Sequence, residues 1–154
     1  VVFYRWLVSI GFSPKKSKTI HSLRIPEKYF FDFLRGEFDG DGCIYSLWDP
    51  HWPKSFRYYA SFYSGSGLFI EWLRERIAMR AGIKGFVQVR KGNYALKYGK
   101  TETNILFQKM YTNPFVPCLK RKFSKAQNIF SQERKNRVRN IGSDVRPKWV
   151  LITS

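Results

Sequence analysis

The stretch Leu34-Arg35-Gly36-Glu37-Phe38-Asp39-Gly40-Asp41-Gly42, entered through Pro26-Glu27-Lys28-Tyr29-Phe30-Phe31-Asp32-Phe33, constrains this chain more than any other. Apolar residues at Tyr29, Phe30, Phe33, Leu34 and Phe38 recur at helical spacing, and Pro26 suits a first helical turn. Gly42 suits a left-handed stop after the last turn. The spacing therefore predicts one helix that ends in two acids, Asp39 and Asp41. A helix C-terminus carries partial negative charge and disfavours carboxylates by a few tenths up to about 1 kcal/mol. A divalent cation that accepts carboxylate and carbonyl oxygens together would offset the clash, and magnesium prefers such hard ligands. Gly36 and Gly40, four apart, leave one side of the helix bare enough for a second helix to approach closely.

Two plainer readings compete. Asp39 as the first position of a calcium loop puts Cys43 at the fifth and Pro50 at the twelfth, and neither supplies a carboxylate. An ordinary Asp-Gly turn joining a helix to a strand stays open on these residues alone.

The nine residues resemble the signature of the LAGLIDADG homing endonucleases, with Leu34, Gly36, Phe38, Asp39, Gly40, Asp41 and Gly42 in matching positions. Arg35 and Glu37 stand in slots that are small and apolar in the family. The resemblance covers about Pro26 to Phe130. It implies that two motif helices pair, bringing Leu34, Gly36, Glu37, Asp39 and Gly40 to a dimer interface. One acid per helix then lies at the base of that interface, where both DNA strands are cut with divalent metal. By position Asp41 is the metal-binding acid, helped by the Gly40 carbonyl, while Asp39 caps or braces the turn. Magnesium is the expected cofactor, with manganese or calcium able to occupy the same oxygens.

The chain has 154 residues, enough for one domain burying about two thirds of its unfolded surface. Apolar residues make up 44% and aromatics 18%, which argues for a packed globule. Lys and Arg number 28 against 11 Asp and Glu, a net charge of +17 that a polyanionic partner would neutralise. Nucleic acid leads over a membrane surface. No apolar run approaches the roughly 20 residues of a membrane span, and no signal peptide opens the chain. Cys43 and Cys118 are too few and too far apart for a zinc cluster or a disulfide framework, so an intracellular setting, in cytoplasm, nucleoid or organelle, is expected.

In chain order, Val2 to Ile10 reads as a short amphipathic helix closed by Gly11, and Ser13 to Thr19 as a basic connector. Residues 1–25 are thus an N-terminal helix and linker, 26–130 the main domain and 131–154 a basic tail. The chain opens Val1-Val2 rather than with Met, as a fragment would, and the leading helix and linker suggest descent from the second half of a two-motif protein.

Cys43 to Trp48 and Ser55 to Tyr63 read as paired strands across an Asp49-Pro50 loop. Alternation puts Phe56, Tyr58, Ala60 and Phe62 on one face and Arg57, Tyr59, Ser61 and Tyr63 on the other. The second set suits base reading in a major groove, together with Tyr45 and Leu47 of the first strand, although a solvated face fits equally. Leu68 to Ala81 is helical and stopped by Gly82. A second hairpin, Gly85 to Arg90 and Asn93 to Tyr98 around Lys91-Gly92, adds Gln88, Arg90, Asn93 and Lys97 to the candidate DNA face. The order αββαββα, an α+β fold with a four-stranded sheet, is also what the resemblance implies.

Thr101 to Tyr111 reads as a further helix, Pro114 and Pro117 break the chain, and a last helix runs through Phe130. In the family a lysine just after such a proline reaches the cleavage centre, and the match here is Lys122. Lys120 and Lys125 are candidate phosphate contacts, which is also the plainer reading of Lys122. Ser66 takes the place of a family residue that orders water around the metal, though a serine is short for the task.

The expected activity is site-specific, magnesium-dependent double-strand cleavage by a homodimer or by this chain with a second motif domain. The partner that the resemblance implies is double-stranded DNA of about 20 base pairs. The alternative is a non-cleaving DNA- or RNA-binding module, such as an intron-splicing maturase on the same scaffold.

Overall fold

The computed structural model describes residues 2–12, 18–113 and 115–141, the last three through their backbone alone. Helix α1 spans Val2–Ser9. Most of the expected basic connector, residues 13–17, lies outside the described residues, as does the tail beyond 141. A single turn at Glu27–Tyr29 leads into α2, Phe30–Asp41. Strands β1, Cys43–Trp48, and β2, Phe56–Ser64, follow, then α3, Gly67–Ala81, strands β3, Phe86–Arg90, and β4, Asn93–Tyr98, and helices α4, Lys100–Met110, and α5, Lys120–Ile141. The order is the α+β arrangement expected from the sequence, with α1 in front and a second helix at the end.

All strand pairs are antiparallel and the sheet order is β1-β2-β4-β3. Registers align Cys43, Ser61, Lys97 and Phe86 in one row across all four strands, and opposed residues share a face. The helices cover the face carrying Ile44, Tyr58, Ala60, Phe62, Leu96 and Tyr98, all of which are buried. Phe30, Leu34 and Phe38 of α2 are fully buried against it, worth about 1.5–3 kcal/mol each. Phe38 meets Phe62 and Phe107 edge to face, with ring centroids 5.7 and 5.2 Å away.

Two expectations are corrected. Gly42 does not end α2 in the left-handed region; its φ and ψ are −74° and 163°. A glycine is needed because a Cβ would lie 2.5 Å from the Phe38 ring and 2.6 Å from the Phe38 carbonyl oxygen. The left-handed stop occurs instead at Gly82, where φ is 69°. The last helix does not end at Phe130, nor does a tail begin at residue 131. Helix α5 continues to Ile141, anchored by the buried Glu133, which takes Lys100 Nζ at 2.6 Å and Arg137 Nε at 2.7 Å. A charge-rich sequence hides this extension because one of the two cations that hold the anchoring acid, Lys100, comes from α4, outside its own helix.

Candidate functional site

The C-terminus of α2 is the meeting point of three elements. Its last carbonyls would be orphaned by the turn into β1. Lys122, from the first turn of α5, donates Nζ to the carbonyls of Phe38 at 2.8 Å, Gly40 at 3.0 Å and Gly42 at 2.5 Å. A cation thus sits at the negative pole of the helix. Desolvation draws the Lys122 pKa below its ordinary value, with Arg121 adding to the effect and Asp39, Cys43 and Asp41 opposing it.

The two acids of the motif separate in role. Asp39 accepts the Tyr111 hydroxyl at 3.1 Å and the Leu119 N–H at 2.8 Å, tying α2 to the end of α4 and to the start of α5. Burial, reinforced by the Asp39 carboxylate, pushes the Tyr111 hydroxyl well above its ordinary pKa and keeps it a donor. Asp41 is exposed at the last position of α2, beside the exposed Gly40. Hence Asp39, half-buried, is a brace within one chain.

Of the residues expected at a helix-pairing surface, Gly36 and Gly40 are exposed, and a Cβ built on either meets nothing within 4 Å. Glu37, on the same side, is half-buried. Leu34 is corrected: it is fully buried in the core, because it lies on the sheet-facing side of α2 with Phe30 and Phe38.

Arg35 was absent from the expected site residues, yet it holds the site's surroundings together. Its guanidinium is nearly buried and donates to the Met110 carbonyl at 2.8 Å, the Pro117 carbonyl at 3.0 Å and Asp32 at 2.8 Å. It closes the C-terminus of α4 as Lys122 closes that of α2. The one available signal was a cation standing in an apolar slot of a helix.

Ser66 is also corrected. Its hydroxyl donates to the Ile20 carbonyl at 2.5 Å and accepts the Phe69 N–H at 3.3 Å as the N-cap of α3. The hydroxyl's one proton is committed and the residue is buried, so Ser66 is not presented to water near Asp41.

Tyr45, Leu47, Arg57, Tyr59, Tyr63, Gln88, Arg90, Asn93 and Lys97 share the sheet face opposite the helices, by register. Arg57, Arg90 and Asn93 are exposed there. Tyr45 and Tyr59 stack with centroids 5.4 Å apart, and Lys97 Nζ lies 3.4 Å from the Tyr45 hydroxyl. Ser61 is on the same face but fully buried, a correction to its place on an open reading surface. It sits on a central strand, and Lys97 from the same row reaches over to Tyr45, leaving the short serine beneath longer side chains. Lys120 and Lys125 are exposed on α5.

Among the described residues no three His, Cys, Asp or Glu side chains converge to hold a metal ion. The candidate ligands from one chain are the exposed Asp41 carboxylate and the Gly40 carbonyl. Both are hard oxygens, which fits magnesium, an ion that keeps several waters and takes one or two carboxylates. A single chain supplies a partial set.

No family model and no curated relative matches this chain. Among solved structures it is similar to the homing endonuclease I-CvuI, in complex with the I-CreI target DNA in 2 mM Mg with the DNA not cleaved. There the TM-score is 0.53 and identity 13%, over 73% of this chain and 71% of that one. A second similar structure is the homing endonuclease I-TnaI, with a TM-score of 0.48 and 15% identity over 73% and 74% of the two chains. The fold is that of a homing endonuclease.

Proposed function

We propose that this chain is a site-specific DNA endonuclease that acts as a pair of such domains, each contributing one Asp41. The observation that carries the reading is an exposed carboxylate at the foot of an uncovered Gly36–Gly40 helix face, in a chain with the homing-endonuclease fold. The nine-residue motif supports it independently of the fold. A single exposed acid is a partial metal site, and a twofold partner approaching along the glycine face would bring a second acid beside it.

Asp41 and the Gly40 carbonyl would hold magnesium, which when bound neutralises phosphate charge and makes bound water a better nucleophile. Everything else falls to the protein. Lys122 keeps a cation beside the α2 terminus, where it favours a phosphate and the negative charge that grows on it. Asp39, through Leu119 and Tyr111, fixes where Lys122 enters. The open sheet face, lined with Tyr, Arg, Asn and Gln, supplies the donors and apolar edges that a major groove is read with. A net charge of +17 supports a nucleic-acid partner. Among the described residues no helix is long and apolar enough to cross a membrane.

Asp41→Asn tests the reading. It is expected to abolish magnesium-dependent cleavage of a selected duplex while leaving binding within a few fold. Wild-type rates from that variant would refute the assignment of Asp41. The rival non-cleaving binder uses the same sheet but has no need of Asp41, so absence of cleavage by the wild-type protein across a random duplex pool would favour it.

A further inference from the structure

The sheet face holds one arginine whose carboxylate partner is itself fixed. Asp49 opens the β1–β2 loop, and its side chain is only 8% exposed. Oδ1 accepts the His51 N–H at 2.9 Å and the Trp52 N–H at 3.2 Å, while the Asp49 N–H donates to Ser55 at 2.9 Å. Oδ2 meets Arg57 Nη2 at 2.5 Å. Asp49 is therefore held on both oxygens, and it grips one edge of the guanidinium of a side chain that is 48% exposed on the reading face. An exposed surface ion pair is ordinarily weak because both partners lose conformational freedom to form it. Here the loop has already immobilised the acid, and only the arginine is ordered.

From this geometry we infer that Arg57 is a specificity-determining residue that reads a guanine, and that Asp49 is its positioning residue. The inference rests on the endonuclease reading above. A guanidinium carries five N–H donors in a fixed fork, and guanine O6 and N7 are the paired acceptors in the major groove that match it. One donor engages Asp49, and the others remain on a group whose direction is set before DNA arrives. Arg90, the other exposed arginine of this face, sits beside the Lys91-Gly92 turn at the far edge of the sheet. Arg57 pairs with Leu47 and lies four residues along the strand from the Cys43–Ser61 row that adjoins the α2 terminus. At about 3.4 Å per residue that is about 14 Å, so a strand laid along the groove would put the guanine about four base pairs farther from the scissile centre than whatever the Lys97 row meets.

The test is selection of bound sequences from a randomised duplex pool, without added metal so that cleavage plays no part. It compares wild type, Arg57→Ala, Arg57→Lys, Asp49→Asn and Asp49→Asn with Arg57→Ala. The wild-type site is expected to require one guanine per half-site, with roughly tenfold or greater discrimination, as one bidentate pair supplies. Arg57→Ala and Arg57→Lys lose discrimination at that position alone. Asp49→Asn lowers it by a smaller factor without changing affinity for random DNA, and adds nothing in the Arg57→Ala background, which a merely structural role for Asp49 would not produce. If Arg57→Ala selects the wild-type sequence, the inference is overturned. Additive effects in the double variant overturn the role of Asp49. If Asp49→Asn melts early, the exposed Arg57→Lys exchange still decides the guanine. If wild type selects no sequence at all, the inference falls together with the endonuclease reading, an outcome distinct from a selected site that ignores Arg57.

Discussion

Arg35 and Lys122 are each a cation closing the end of a helix that belongs to another part of the chain. Both bind carbonyls that the chain's turns would otherwise leave without a donor; Arg35 is buried and Lys122 half-buried. Removing such a donor costs the desolvation of each orphaned acceptor, about 1–3 kcal/mol. Arg35→Met, similar in length but without donors, strands the Met110 and Pro117 carbonyls and is expected to lower stability by about 2–4 kcal/mol. Chemical denaturation measures this, and an unchanged midpoint would show that the guanidinium is dispensable to the fold. Arg35 was legible only as an oddity of sequence, a charge in an apolar slot. Its partners lie 75 and 82 residues away, which no local pattern encodes.

At the scale of the element, α2 has two faces with different duties. Phe30, Leu34 and Phe38 bury one side against the sheet, and Gly36 and Gly40 leave the other bare. A glycine inside a helix is destabilising by roughly 0.5–1 kcal/mol relative to alanine, and the single chain offers no packing reason for either residue. The proposed pairing supplies one. Gly36→Ala is therefore expected to raise the melting temperature of the isolated chain slightly. Gly36→Leu should leave the fold intact but prevent pairing on a DNA target, as read by sedimentation, and abolish double-strand cleavage. Intact dimers with leucine at position 36 would place the interface elsewhere. The helical period disclosed the element and its buried side, Leu34 included; the family motif assigned Leu34 to the pairing surface, because a motif names residues without saying which way each points.

For the molecule as a whole, the helices close one face of the sheet and concentrate large buried phenols there. Burial pushes the Tyr58 pKa up to about 12, and it pushes Tyr98 and Tyr111 up further still. Each folded value lies above the unfolded one, so the native state favours the protonated phenol. The associated stability is complete below pH about 10 and is lost as pH rises through the folded values. Ionisation of these three should therefore coincide with unfolding above pH about 11. Tyrosinate absorbance followed alongside far-ultraviolet circular dichroism checks this, and full titration of all nine tyrosines near pH 10 in a still-folded chain would contradict it.

The order of elements, the two faces of β2 and the acidic end of α2 were determined by sequence, since periodicity, turn residues and a nine-residue motif are local and each is read over a few neighbours. Only the tertiary structure decided that Asp39 braces against Tyr111 and Leu119, that Ser66 caps a helix, that Ser61 is covered and that α5 runs to Ile141. Those outcomes turn on which donor from a distant segment reaches a given oxygen and which side chain lies over a neighbour. Chain proximity of that kind exists only once the sheet has brought its rows together.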